Sequence, residues 1–208
     1  MLKNILYFTG SILLFFTGIV VYGIILNIRE NTLQQCLIEK NISEPTDIFI
    51  LVDRRNYKLN LYSGTTLIKS YKAVFGKNDS PVKKSKDDFV TPAGKFEICS
   101  IDTSEQFYRI FKINFPNEAS AAESLKNGYI TGEDFRRIVT ELQNGNCPPD
   151  DTVLGSNISI HGMGTYNFIF KNLPFVFNWT DGSIALSDES MDELATVVSV
   201  GTKVEIKN

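Results

Sequence analysis

Residues 5–26 constrain this chain most strongly, because they contain no charged side chain (ILYFTGSILLFFTGIVVYGIIL). A helix of about 20 apolar residues crosses the hydrocarbon layer of a bilayer, which is about 30 Å thick. A cleaved signal peptide has an apolar run of about 7–15 residues and a small-residue cleavage site. The flank IILNIRENT shows no such site. We therefore expect residues 1–27 to be an uncleaved signal anchor, with a cleaved signal sequence as the alternative.

The charges around this run give its expected orientation. Lys3 precedes it and favours a cytoplasmic N-terminus, although Arg29 on the other side nearly cancels the bias. The remainder of the chain would then lie outside the inner membrane as a single-pass protein. Residues 28–46, which are polar and mixed, predict a juxtamembrane helical stub or tether.

The overall composition excludes several classes of function. The 208 residues carry a formal net charge of −3, whereas nucleic-acid binding usually requires a strongly basic surface. One histidine and three cysteines without metal-type spacing predict no metal site. The odd number of cysteines also prevents all of them from pairing within the chain.

From residue 47 onward the hydrophobic pattern changes to the alternation typical of strands. In YKLNLY, apolar and polar residues alternate, and Ser63-Gly64 separates this run from LIKSYKAVFG. Two extended runs around a glycine turn predict a hairpin. Further strands are predicted at DIFILVD, KFEICSID, FYRIFKINF and TKVEIK.

Helical spacing is found only in the second half. TGEDFRRIVTELQNG places its apolar residues, from Phe135 to Leu142, on one face, and Gly145 follows as a stop signal. SDESMDELATVV has Ser187 as its N-cap, with acidic residues in the first turn. Residues 47–208 are therefore expected to form one mostly β (α+β) domain with two or three helices.

The only histidine, His161, ends a predicted strand and precedes a glycine. A lone histidine is most often structural, and that alternative assigns it no chemistry. A second glycine turn, TDGS, follows about twenty residues later. A general base must come within about 3 Å of the group that it deprotonates. Gly182 would let the backbone approach closely and offer an N–H to an oxyanion, so we expect His161 and Ser183 to meet in one cavity.

At these residues the chain resembles the YkuD-type L,D-transpeptidase catalytic domain, and in particular its murein L,D-transpeptidase branch. The pattern of that family is His-Gly, a spacer, and Ser/Thr-x-Gly-Cys. Here it is His161-Gly162, a spacer of seventeen residues, and Thr180-Asp181-Gly182-Ser183. ILVDRRNYKLNLYSG, FVTPAGKFEI, INFPNEASAAESLKNG and SIHGM also resemble the family, so the resemblance covers residues 47–206.

The resemblance implies a β-sandwich or barrel-like domain that performs acyl transfer on peptidoglycan stem peptides. The third residue of a tetrapeptide stem would acylate residue 183, D-alanine would leave, and an acceptor amine would take the acyl group. Ser183 would be the nucleophile and His161 the base, with the Gly182 and Ser183 N–H groups as the oxyanion hole. Substrate-binding roles would fall on Gly162, Met163, Trp179, Thr180 and Asp181. No cofactor is implied, and the domain would lie in the periplasm.

One departure bears on activity, since the nucleophile of the family is a cysteine and residue 183 is a serine. A thiol has a pKa of about 8.5, lower beside a protonated histidine, whereas a hydroxyl needs an engaged and oriented base. The sequence is compatible with an engineered Cys→Ser substitution, a descendant that binds peptidoglycan without cutting it, or, with least support, a native serine enzyme. Cys147 is a weaker candidate nucleophile, and an L,D-hydrolase of the same family is a further alternative.

Overall fold

The computed structural model describes residues 2–28, 30–173 and 177–208. Arg29, which entered the orientation argument, and residues 174–176 of the spacer lie outside this part. The strands are β1 (Ile48–Asp53), β2 (Lys58–Ser63), β3 (Thr66–Lys72), β4 (Gly94–Ser104), β5 (Tyr108–Ile113), β6 (Ser159–Gly162), β7 (Ile184–Leu186) and β8 (Lys203–Lys207). The helices are α1 (Leu2–Ile28), α2 (Leu33–Glu39), α3 (Glu118–Lys126), α4 (Gly132–Gln143), α5 (Asn167–Lys171) and α6 (Asp188–Ala195).

The strands form one curved sheet in the order β3-β2-β1-β8-β4-β5-β6-β7. Val74, just beyond β3, pairs with Ala185 of β7 through N–H···O bonds of 3.0 and 2.9 Å. The two ends of the strand order are thereby bridged, and the sheet is nearly closed into a barrel. This confirms the expected mostly β, barrel-like fold.

The alternation in the sequence explains which side of the sheet faces the core. Leu59 and Leu61 of β2 and Ile50 and Val52 of β1 are fully buried. β2 and β3 pair as the predicted antiparallel hairpin around Gly64. The other segments with strand patterns also form strands, because each can bury one apolar face.

The helices agree with the sequence in position but exceed the expected number. The Thr131 side chain caps α4, Gly145 follows it at φ 78°, and Ser187 caps α6 as predicted. The domain has four helices in its described part rather than two or three. The additional two are short and give weak signals: α3 buries only Ala121 and Ser124, and α5 is five residues long.

At the N-terminus, Lys3–Leu26 of α1 is long and apolar enough to cross a membrane, and most of its side chains are exposed. By length and composition it could be a membrane anchor or a signal sequence. The segment expected to be a stub or tether contains α2, which packs on the domain. Leu33 is 4% exposed within the main core, and its N–H donates to Glu193 at 3.0 Å.

A disulfide joins Cys99 of β4 to Cys147, in the segment after α4. Cys36 is a free cysteine. The pairing leaves Cys147 without a free thiol, so the interpretation of Cys147 as an alternative nucleophile is wrong for this state of the protein. The segment that Cys147 begins leads directly into β6, where His161 lies.

Candidate active site

Two neighbouring strands bring His161 and the Ser183 turn together. β6 and β7 pair in parallel, with Ile160 opposite Ile184 and His161 opposite Ala185. Because side chains alternate along a strand, Ser159 and His161 share one face, while Ile160 faces the core. Ser183 precedes β7 by one residue, and the same alternation directs it to the His161 face. The pairing of β6 with β7 therefore places His161 and Ser183 on the same face of the sheet, as the sequence predicted.

A cavity of about 610 Å³ opens on this face. The predicted site residues that line it are His161, Trp179, Thr180, Asp181 and Ser183. Gly162, Met163 and Gly182 lie beside it and are not part of its lining. Met163 is buried against Val74 and Ala185, so a substrate-binding role for Met163 is not evident from its position.

The two glycines are required by close contacts behind the cavity. A Cβ at Gly162 would lie 2.5 Å from Asp188 Oδ1 and 2.9 Å from the Phe107 carbonyl oxygen. Gly182 has φ 120°, and a Cβ there would lie 2.8 Å from the Val90 carbonyl oxygen. Both positions therefore serve the close packing of the backbone around the site.

The hydrogen bond of His161 determines which ring nitrogen can act as a base. Its Nδ1 lies 2.7 Å from the Gly162 carbonyl oxygen, which can only accept. Nδ1 therefore carries the proton, and Nε2 has the lone pair. Burial lowers the pKa of His161, and the bond to Gly162 opposes this shift in part. In the described part of the chain no carboxylate hydrogen-bonds to the imidazole, so the orienting acid of a serine triad is not found.

Two aromatic rings enclose this imidazole. Phe107 lies 4.6 Å from it and Trp179 6.5 Å, measured between ring centroids. Trp179 in turn stacks on Phe170 at 5.2 Å. The Trp179 Nε1 atom is buried without a hydrogen-bond partner in the described part of the chain. The rings keep water from much of the imidazole, which is 5% exposed as a residue, and this is the physical cause of its lowered pKa.

The Ser183 hydroxyl is hydrogen-bonded to the segment that leads into β6. It donates to the Asn157 carbonyl oxygen at 3.1 Å and accepts from the Ser159 N–H at 3.2 Å. The Ser159 hydroxyl lies 3.4 Å away. No hydrogen bond joins Ser183 to His161 within the residues that the structure describes. The hydroxyl proton is thus held by a backbone carbonyl rather than by the base.

Thr180 fixes the turn that carries Ser183. Its Oγ1 accepts from the Gly182 N–H at 3.3 Å and donates to the Ser183 carbonyl oxygen at 2.6 Å. The Gly182 N–H, one of the two donors expected in an oxyanion hole, is thus engaged within the turn. The Ser183 N–H has no hydrogen-bond partner among the described residues.

Lysines outnumber carboxylates in the lining of the cavity. Four lysines line it, against two aspartates: Lys77, Lys83, Lys86, Lys112, Asp150 and Asp181. Three of these lysines are ion-paired: Lys77 with Asp181 at 2.8 Å, Lys112 with Asp150 at 2.7 Å, and Lys83 with Asp88 at 2.7 Å. Lys86 has no ion pair among the described residues. The described residues also contain no group of three or more His, Cys, Asp or Glu side chains that could hold a metal ion.

Sequence reasoning missed three contributors to the site. The Ser159 hydroxyl could have been found, because Ser159 is two residues before His161 on the same predicted strand and so shares its face. Phe107 comes from the turn between β4 and β5, and no local pattern connects it to His161. The Asn157 contact uses a backbone carbonyl, which every residue type has, so the sequence carries no signal for it.

The family model of the L,D-transpeptidase catalytic domain (YkuD) matches residues 47–206 of the sequence. The chain belongs to the YkuD family. The match extends from just before β1 into β8 and includes the whole cavity lining. No curated protein sequence matches the chain at a significant level.

Several solved structures resemble this chain at low sequence identity, so this likeness concerns the fold alone. A point mutant of the helical cell shape determining protein Pgp2 from Campylobacter jejuni is 15% identical with TM-score 0.50, and the match covers 85% of this chain and 55% of that one. An L,D-transpeptidase from Xylanimonas cellulosilytica is 12% identical with TM-score 0.47, and the match covers 79% of this chain and 62% of that one. An L,D-transpeptidase from Mycobacterium smegmatis is 10% identical with TM-score 0.47, and the match covers 78% of this chain and 59% of that one. This chain thus spans less than two thirds of each of these structures.

Proposed function

We propose that this domain performs L,D-transpeptidase-type acyl transfer on peptidoglycan stem peptides, with residue 183 as nucleophile and His161 as base. We also propose that serine at position 183 weakens this activity. The observation that carries the proposal is that both side chains line one cavity while His161 has its Nε2 lone pair available. The match to the YkuD family supports a role in peptidoglycan chemistry.

In the proposed reaction, the residue-183 side chain attacks the carbonyl carbon of the third stem residue, and its proton passes to His161 Nε2. The tetrahedral intermediate collapses with cleavage of the peptide bond, and the imidazolium gives its proton to the amine of the leaving D-alanine. An acceptor amine then attacks the acyl-enzyme and loses a proton to His161. The bond to residue 183 breaks, and the proton returns to the side chain of residue 183. Attack by water instead would give hydrolysis.

The cavity offers groups for the charges in this reaction. The Ser183 N–H is positioned at the nucleophile and is the candidate donor to the oxyanion. The Gly182 N–H can contribute only by giving up its bond to Thr180 Oγ1. Stem peptides carry carboxylates, and Lys86, which lines the cavity without an ion pair among the described residues, favours such ligands electrostatically. Trp179, Thr180 and Asp181 are proposed to contact the peptide.

The hydrogen bonds of Ser183 support the weakening of activity. Its hydroxyl donates to the Asn157 carbonyl oxygen and must break this bond before His161 can accept the proton. A hydroxyl also needs a base oriented by an acid more than a thiolate does, and Gly162 supplies only a carbonyl oxygen. The same observation favours a second candidate function, that of a peptidoglycan-binding protein without turnover.

We further propose that the protein is a single-pass inner-membrane protein with residues 1–27 as an uncleaved anchor and residues 47–208 as the catalytic domain outside the membrane. The Cys99–Cys147 disulfide supports this location, because disulfides form and persist in oxidising compartments such as the periplasm. L,D-transpeptidases are in general extracytoplasmic, which agrees with the same placement.

The test uses the full chain in detergent micelles with muropeptides that carry tetrapeptide stems. We expect Ser183→Cys to release D-alanine faster than the unchanged chain, because a thiolate does not need an orienting acid. Adding His161→Ala to the cysteine form should reduce the rate by about 10²–10⁴-fold, the usual contribution of a general base. D-alanine release and cross-linked or hydrolysed products are measured by chromatography.

Ser159→Cys is the matched control, since its thiol would lie on the same face next to residue 183. It should give no more turnover than the unchanged chain, so a generic thiol at the cavity cannot account for a gain in Ser183→Cys. Equal rates in the serine and cysteine forms would contradict the proposed weakening. Binding of muropeptides with no turnover in either form would favour the binding protein, and an active His161→Ala variant would leave His161 a structural residue.

A further inference from the structure

Outside α1, exposed apolar side chains are concentrated around α5. Tyr166, Phe168, Ile169 and Phe177, here called the α5 patch, are 58%, 65%, 58% and 42% exposed. Tyr166 and Phe177 both pack on Phe170, with ring centroids 6.0 and 5.6 Å apart. Scattered exposed apolar residues are ordinary, but a contiguous group of them marks an interaction surface. The α5 patch is therefore a candidate interaction surface.

The sequence around the patch favours an apolar, weakly charged environment. Residues 163–177 contain no acidic residue and a single basic one, Lys171. Lys171 pairs with Glu189 of α6, so the charge of its side chain is balanced inside the domain. The attraction to the partner must then come from the apolar surface rather than from charge.

The patch lies beside the C-terminal part of α1. A Cβ at Gly23 would be 1.7 Å from the Asn172 carbonyl oxygen, so the backbones of α1 and of the segment after α5 are in direct contact. Ile24 lines a cavity of about 440 Å³ together with Phe168 and Asn172. By contrast, the side chains of residues 3–18 of α1 are exposed. The domain therefore meets the apolar helix near its end, at the α5 patch.

The length of α1 sets the level of this contact relative to a bilayer. The 24 residues Lys3–Leu26 would extend about 36 Å at 1.5 Å per residue, against a hydrocarbon layer of about 30 Å. Gly23 is three residues, or about 4.5 Å, from the end of this span. A segment held against Gly23 is then at the depth where α1 leaves the hydrocarbon.

We infer that the α5 patch is a second membrane contact, with Phe168 and Ile169 inserted at the boundary between acyl chains and headgroups. This inference rests on the proposed anchor. Aromatic side chains favour this layer, and apolar faces of interfacial helices enter it by about 5–10 Å. On the inner side of α5, Phe170 stacks on Trp179, which packs against His161. The same short helix thus fixes the position of the active site relative to the membrane surface.

The test places one nitroxide label at a time in the full chain, reconstituted in lipid bilayers. Cys36 is first replaced by Ala, and the Cys99–Cys147 disulfide is left intact. Labels at positions 168 and 169 should collide more with oxygen, which concentrates in lipid, and less with a water-soluble nickel complex. Val153 and Val200 are matched controls, since they are 50% and 60% exposed elsewhere on the domain, and labels there should collide mainly with the nickel complex.

A label at Leu14, in the middle of the apolar span, separates this inference from the anchor. If position 14 is in lipid while positions 168 and 169 are as accessible to nickel as 153 and 200, the anchor stands and the membrane contact of α5 is refuted. If position 14 is itself in water, the anchor fails and the inference fails with it. Dipolar broadening between labels at 168 would show a second copy of the chain on the patch and would also overturn the lipid contact.

Discussion

His161 and Ser183 face one cavity, and each hydrogen-bonds to the backbone beside it instead of to the other. His161 uses the carbonyl of its own neighbour, Gly162, and Ser183 uses Asn157 and Ser159. The imidazole is therefore kept in one tautomer by a backbone carbonyl oxygen, while the hydroxyl proton points to another carbonyl. This arrangement suits a nucleophile that ionises readily, which a thiol does and a hydroxyl does not.

The lowered pKa of His161 predicts a pH dependence of stability. Burial favours the neutral ring in the folded state, so from pH 6.5 down to the folded-state pKa the unfolded chain binds more protons at this site. The free energy of unfolding then falls as pH falls, by up to about 1.36 kcal/mol per pH unit. We expect His161→Gln to lose this part of the dependence in urea denaturation between pH 7.5 and 5.

The difference in the free energy of unfolding between the unchanged chain and His161→Gln reports the contribution of the histidine alone, because carboxylates such as Asp188 titrate in both. Parallel stability curves for the unchanged chain and His161→Gln over this pH range would contradict a lowered pKa.

At the residue level, the motif predicted which side chains would line one cavity. It could not predict the Asn157 carbonyl bond, since a backbone carbonyl has no sequence signature.

At the scale of elements, the segment between α4 and β6 forms one wall of the cavity. It supplies Asp150, Ser156 and Asn157 to the lining, and Cys147 at its start is tied to Cys99 of β4. The Ser156 hydroxyl donates to the Pro148 carbonyl oxygen at 2.8 Å. The disulfide and this bond together hold the carbonyl that accepts from Ser183.

Replacing both cysteines, Cys99→Ala and Cys147→Ala, should lower the stability of the domain. The disulfide closes a loop with a sequence separation of 48, and loop-closure entropy gives a stabilisation of about 4 kcal/mol as an ideal value, with about 2–4 kcal/mol typical. Chemical denaturation of the unchanged chain and the double variant measures the difference. Reductant should destabilise the unchanged chain and leave the double variant unaffected, and an unchanged free energy of unfolding in the variant would refute the prediction.

The elements differ in how well the sequence predicts them, for physical reasons. β1, β2 and the α4 helix have long, regular patterns that bury one face, and all were predicted. α5 has five residues and an aromatic composition without helical spacing, and it packs on Trp179 through Phe170, a tertiary contact that its local sequence does not reveal. The pairing of Cys99 with Cys147 depends on where two distant segments meet, which spacing alone does not encode.

Over the whole molecule, the sheet is closed by the Val74–Ala185 bridge, and the N-terminal segment is joined to the outside of this barrel. α2 was expected to be a stub or tether, but Leu33, Cys36 and Leu37 pack against the main core. Its polar sequence gave little indication of this, because a few apolar contacts on one turn suffice. With α1 as the proposed anchor, the short distance in sequence from α1 to α2 would restrict how far the domain can move from the membrane.

The proposed anchor leads to a prediction for the full chain expressed in a bacterium. The chain should stay in the membrane fraction after alkaline extraction, and its mass should include the residues of α1. Leu14→Arg should move part of the protein into the soluble fraction, because an arginine at the centre of a span costs about 2.5–3.5 kcal/mol. Leu67→Arg is the matched control, since Leu67 is exposed on β3, and it should remain in the membrane fraction. A mass that lacks about the first 15–30 residues would instead identify the segment as a cleaved signal sequence, and the membrane contact inferred for the α5 patch would fail with the anchor.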